Sequence, residues 1–215
     1  RDFAQTHPNF ASAFLTLYDA YRKAAQDAQA LAERDEDNEG EGSWASADRF
    51  PAEQVSDFFQ ARSNYFPALE TAAERVAADI RHPEGSLFRG MTSFLDNAFG
   101  VVVKTMAPKD GWDIIRRFDP ERRELLVSRH ILRETRDFQV AHQIGRLAAD
   151  REISEIAEEA GVVGEAAHRL MRAALANYFA GALMMPYVEF LRQAETWKYD
   201  IDLLGNFFSA SFEQV

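Results

Sequence analysis

Apolar residues at Phe10, Phe14, Leu17, Tyr18 and Tyr21 recur at helical spacing, and the preceding THPNF offers Thr6 or Asn9 as an N-cap. The pattern stops at ERDEDNEGEGS, residues 33–43, where six acids and two glycines predict a solvated linker. A second helical block follows. Val55, Phe58, Phe59 and Arg62 repeat at one-turn spacing. Pro67 then separates them from a helix over residues 68–80 that HPEG stops. Phe94, Leu95 and Phe99 mark a further helix, ended by Gly100.

The period then becomes extended. The β-branched run VVVKTM, residues 101–106, predicts a strand, and IIRRFDPERRELLVS predicts two short strands joined at Asp119 and Pro120. From Arg136 onward the pattern is helical. The expected class is α+β, predominantly α-helical, with a small sheet of about three strands. The chain divides into an N-terminal helix (1–32), an acidic linker (33–48), a helical extension (49–85) and a C-terminal domain (86–215).

Composition narrows the function. With 47% apolar residues and 17 phenylalanines the chain can bury a sizeable core. A net charge of −11 argues against DNA binding by this stretch alone, because neutralising phosphates needs a basic face. An acidic piece can still belong to a DNA-binding protein whose basic module lies elsewhere, and a first residue of Arg1 reads as part of a longer chain. The absence of cysteine excludes disulfides, thiolate zinc sites and cysteine nucleophiles here, and fits a cytoplasmic protein. The apolar run AALANYFAGALMMPYV, residues 173–188, falls short of the roughly 18 residues that span a bilayer. It also holds Asn177 and Pro186, so it reads as a core helix and no membrane partner is expected.

One decoy lies at residues 153–175, where Ala157, Gly161 and Val163 stand near helix-turn-helix spacings. Glu165, Ala166 and Ala167 occupy the places of polar base readers, and the second helix runs into the apolar core. The segment reads as plain helix, turn, helix.

The candidate chemistry sits in RDFQVAHQIGR, residues 136–146. Two histidines at i and i+4 on one helix can share a zinc ion, with an intervening glutamate activating water. Here His142 keeps the first ligand position. Gln143 replaces the base, and Arg146 replaces the second ligand with a permanent cation. The helix LANYFAGALMMP, residues 175–186, resembles the one that follows the zinc motif in the ImmA/IrrE family of metallopeptidases. That family carries a glutamate before the Ala-Asn pair, whereas Leu175 precedes Ala176 and Asn177. With the strand FGVVVK and the hairpin, the resemblance runs from Ser86 to about Leu191. It implies a zincin-like fold whose site has lost metal and catalysis, leaving a binding pocket.

A wider resemblance narrows the pocket's use. HPNFASAFLTLYDAYRKAAQ, VSDFFQARSNYFPALETAAERVA, the altered motif and LLGNFFSASFEQV are together similar to the middle of short-chain fatty-acyl-CoA-responsive transcription factors. These include regulators of propionyl-CoA metabolism and of the glyoxylate cycle. Members carry an N-terminal helix-turn-helix and often a C-terminal cysteine-bearing module, neither of which this stretch shows. The resemblance implies a ligand-sensing domain binding a short-chain acyl-CoA, propionyl-CoA foremost, or CoA, as sensed ligand and not as prosthetic group. It also implies operator DNA bound through the helix-turn-helix, and a homo-oligomer, foremost a dimer.

An acyl-CoA calls for cations at its phosphates, an aromatic or apolar face for its base and a small cavity for its tail. Arg62, Tyr65 and Arg75 are candidates from the helical extension. Lys104 is expected to end its strand and face a ligand lying across the sheet. Leu175, Tyr178 and Met184 are expected along one side of the core helix, with His142 and Arg146 closing the end. Each arginine has a surface salt bridge as its alternative role, and apolar residues at these spacings also suit a plain core. Two rival classes remain open. One is a dimerisation module acting through Phe207, Phe208 and Phe212 without a small molecule; the other is a live zinc peptidase.

Overall fold

Among the described residues, prolines open the first two helices, α1 (Pro51–Ala61) and α2 (Pro67–Asp79), at positions where a missing N–H costs no hydrogen bond. The computed structural model describes residues 50–80, 86–106, 115–212 and 214–215. The expected helix around Phe10 to Tyr21, the acidic stretch at 33–43 and the HPEG stop lie outside these residues. Between α1 and α2 the chain reverses through Ser63 and Asn64, both left-handed, and the Asn64 N–H donates to the Phe59 carbonyl at 2.8 Å. Ile80 caps α2 and is not its last turn. Helix α3 (Leu87–Phe99) starts where the Ser86 hydroxyl accepts the Arg89 N–H. It ends at Gly100, φ 64°, with the Gly100 and Val101 N–H groups donating to the Asp96 and Leu95 carbonyls.

Three strands follow: β1 (Val102–Met106), β2 (Arg116–Asp119) and β3 (Glu124–Ser128), in the order β1-β3-β2. The Asp119 carboxylate accepts the N–H groups of Glu121 and Arg122, which turns β2 into antiparallel β3. β1 runs parallel to β3, with Val103 opposite Leu125 and Thr105 opposite Val127. Leu125 and Val127 are fully buried, so the sheet face that carries them is the core face. Arg116 pairs with Val127 and Phe118 with Leu125, so the Arg116 side chain leaves from that same face. Lys104 stands mid-strand and not at a strand end. It is opposite Leu126 on the other face, where its ammonium pairs with Glu124.

The rest is helical: α4 (Arg133–Ala148), α5 (Asp150–Glu159), α6 (Glu165–Met184), α7 (Tyr187–Thr196) and α8 (Ile201–Phe208). α4 begins one turn earlier than the expected Arg136 and packs over β3. The 20-residue α6 is the axis of the fold, in contact with α1, α2, α4 and α5. Its Leu175 and Phe179 are fully buried, contributing about 1.5–3 kcal/mol each. Ala167 and Met171 are fully buried too, so the helix-turn-helix look-alike spends its second helix on the core. The side chain of Gln54 clamps the α5–α6 turn, accepting the Val163 N–H at 2.7 Å and donating to its carbonyl. A smaller apolar cluster of Ala194, Leu204, Phe208 and Ala210 joins α7 to α8. Among the described residues no helix is long and apolar enough to cross a membrane.

Candidate functional site

Helix α4 carries His142 inward and Arg146 one turn further to an exposed position. His142 is 5% exposed, and its Nδ1–H donates to the Asn177 Oδ1 of α6 at 2.7 Å. The other ring nitrogen, Nε2, is buried without a partner. From β2 comes Arg116, whose Nη1 is likewise buried and unpartnered. The groups feel one another. Burial pushes the His142 pKa down to about 4, with the Arg116 charge second, the Asn177 bond opposing and Arg146 adding. Burial, then Arg146, lowers Arg116 to about 10. The result is a neutral imidazole beside two guanidiniums.

Zinc does not fit these residues. A catalytic zinc takes three protein ligands and a water, whereas one imidazole is present and its Nδ1 is held by Asn177. Gln143 is buried where the base would stand, and Leu175 is sealed in the core where a third ligand would stand. Arg116 and Arg146 make the surroundings cationic. Among the described residues no group of three His, Cys, Asp or Glu could hold a metal ion. No hydrolytic step follows from this site.

Of the residues expected around a ligand, the structure brings together only His142 and Arg146. Arg62 pairs with Glu159 at 2.5 Å and lies over the Phe58 ring. Arg75 pairs with Glu152 at 3.2 Å. Lys104 pairs with Glu124 on the sheet face away from α4, so it does not face a ligand beside His142. Tyr65 is exposed near Tyr187. Tyr178 turns towards α2, donating to Glu70 Oε1 at 2.6 Å and accepting the Phe66 N–H at 3.3 Å. Leu175 and Met184 do not share a side of α6: nine residues rotate the helix by about 180°.

Two features escaped the sequence pattern. The first turns of α3 and α4 enclose a cleft of about 420 Å³ lined by Ser86, Phe88, Arg89, Arg133 and Arg136. The Arg136 guanidinium lies 4.4 Å over the Phe88 ring. Beneath it Asp137 is 1% exposed, its oxygens 3.7 Å from Arg136 Nε and 3.8 Å from Arg133 Nε, with no hydrogen bond. Burial raises its pKa, against the pull of both arginines. On the other side of the α3 turn, an apolar groove of about 290 Å³ is lined by Ile80, Leu87, Leu183, Met184 and Phe207, among others. The only signals for either were a cap at Ser86 and arginines spaced i, i+3 at 133 and 136.

Comparison with known proteins gives this geometry relatives. The IrrE N-terminal-like domain (Peptidase_M78) matches residues 96–215. The HTH-type transcriptional regulator RamB of Mycobacterium tuberculosis is 34% identical over the whole chain, which covers 44% of that protein. The propionyl-CoA carboxylase regulator of Cereibacter sphaeroides is 32% identical over 99% of the chain and 43% of its own length. A solved Mycobacterium tuberculosis transcriptional regulator superposes with a TM-score of 0.71 at 36% identity, over 77% of this chain and 50% of that one. The chain thus spans less than half the length of these curated relatives.

Proposed function

This chain belongs to the IrrE N-terminal-like domain family, and from that premise we propose that it is the acyl-CoA-sensing domain of a transcriptional regulator and performs no catalysis. The observation that carries the reading is the first turn of α3, which divides a three-arginine cleft from an apolar groove. An acyl-CoA has the same division, with phosphates at one end and a thin apolar arm at the other. Arg89, Arg133 and Arg136 suit phosphate oxygens, reinforced by the positive ends of two helix dipoles. The Ile80, Leu87 and Met184 groove suits the pantetheine and a short acyl tail. The name of the Cereibacter sphaeroides relative supports propionyl-CoA, since a regulator of the carboxylase that consumes it gains by sensing it. The whole protein would then read operator DNA as a homo-oligomer, through a module outside this stretch.

Calorimetric titration with propionyl-CoA, acetyl-CoA and free CoA tests the reading. Propionyl-CoA is expected to bind tightest, and Arg133→Gln to weaken all three by about tenfold to a hundredfold. If no CoA species binds below millimolar, the sensor reading fails. A second reading, an interaction module, rests on Phe207 and Phe212, which are 51% and 70% exposed, whereas Phe208 is buried against Phe190. It takes over in that case.

A further inference from the structure

We infer that Arg116, Arg146 and His142 form a second binding site, separate from the arginine cleft, for a small oxyanion that also carries a hydroxyl. The position where metallopeptidase relatives would hold a cation has become a place for its opposite.

Three observations converge. The arginines come from different elements, β2 and α4, and lie close enough for the Arg146 charge to act on Arg116. Among the described residues neither makes an ion pair, although Arg62, Arg75, Arg133, Arg136 and Arg172 all do. Among the described residues the two guanidiniums have no carboxylate to compensate them, and one of them is part-buried with an orphaned Nη1. The imidazole supplies the third observation. Because Nδ1–H donates to Asn177, Nε2 presents a lone pair, buried and without a donor.

The donor inventory specifies the ligand. The guanidiniums offer only N–H groups and positive charge, so they require anionic oxygens, held bidentately at best. Nε2 accepts only, so the same ligand must carry an O–H aimed at it. Hydrogen phosphate meets both requirements, as does a 2-hydroxycarboxylate, whose hydroxyl sits one carbon from the charge. A plain carboxylate such as acetate meets only the first. Among the described residues, the groups around the imidazole are Arg116 from β2, Arg146 from its own helix and Asn177 from α6, and no carboxylate is among them.

The test is calorimetry on the 215-residue chain with phosphate, lactate and acetate, at ionic strength balanced with chloride. Phosphate or lactate is expected to saturate at one per chain, with Kd on the order of 1 mM or tighter. Which of them binds tighter identifies the source of the oxyanion. Acetate is expected to bind at least about tenfold more weakly, for want of a donor to Nε2. Arg146→Gln is exposed and safe for folding, and is expected to weaken binding by about tenfold or more, as is Arg116→Gln. Arg133→Gln, which disables the cleft, is expected to leave it unchanged, so this site and the acyl-CoA reading can fail separately. Absence of saturation by either hydroxylated anion overturns the site, as does equal binding to Arg146→Gln. Acetate binding as tightly as lactate overturns the hydroxyl requirement.

Discussion

Gly145 lets α4 lie directly on Phe179 of α6: a Cβ at position 145 would stand 2.7 Å from the ring Cδ1 and 3.3 Å from the Phe179 Cβ. Phe179 is fully buried and cannot swing clear. Gly145→Ala gains about 1 kcal/mol of helix propensity but overpacks a closed core by about 1–3 kcal/mol. A net loss on the order of 1 kcal/mol is expected, read as a lower urea midpoint at unchanged m-value. Phe179→Leu in the same chain should recover part of it. A raised midpoint for Gly145→Ala alone would show slack at this crossing.

The Tyr178 hydroxyl is engaged within the fold, donating to Glu70 and accepting from the Phe66 backbone. Tyr178→Phe leaves both partners short and should cost about 1–2 kcal/mol of stability. Acyl-CoA affinity should not change. A tenfold loss of affinity at constant stability would instead place this hydroxyl on the ligand.

Much of the framework was legible in the sequence because it rests on local rules. Proline at 67, glycine after Phe99 and the Asp119-Pro120 turn each act within a few residues, and the helical stripes set the α elements. What was not legible depends on pairing across the chain. Lys104 and Arg116 are both strand cations, and only the β1-β3-β2 order and register put Lys104 outward and Arg116 inward beside His142. The cleft joins Arg89 to Arg133 and Arg136, which the sequence separates by all three strands, with no motif linking them. Arg62 and Arg75 were expected at a ligand because their type suits phosphate, but the glutamates that neutralise them, Glu159 and Glu152, lie far along the chain.

Acid should expose the buried imidazole. His142 has a folded pKa of about 4 against an ordinary 6.5, so between those values the unfolded chain binds more protons. Stability from this group is complete above about pH 6.5 and is lost as pH falls towards 4, by up to about 3 kcal/mol. His142→Gln should flatten the stability profile across that window. Asp137, with its pKa raised, contributes with the opposite sign, its share being lost as pH rises through its folded pKa. Identical wild-type and His142→Gln profiles from pH 6.5 to 4.5 would contradict a buried neutral His142.

Asp137 is an internal competitor for the cleft. Its carboxylate is buried beside Arg133 and Arg136 at 3.7–3.8 Å, close enough to attract both but too far to bond either. A phosphate in the cleft must draw on the same two guanidiniums. Asp137→Asn keeps the shape, removes the competing charge and removes a buried carboxylate that burial already disfavours. Stability at pH 7 should therefore hold or rise. Affinity for CoA should increase several-fold, up to about tenfold, which corresponds to about 1.4 kcal/mol. The gain should shrink with added salt, because phosphate contacts in an open cleft are screened over a Debye length of about 10 Å at 0.1 M. Calorimetry at two salt concentrations measures both effects. Weaker CoA binding by Asp137→Asn would mean that the carboxylate aims the arginines at the ligand and does not compete with it.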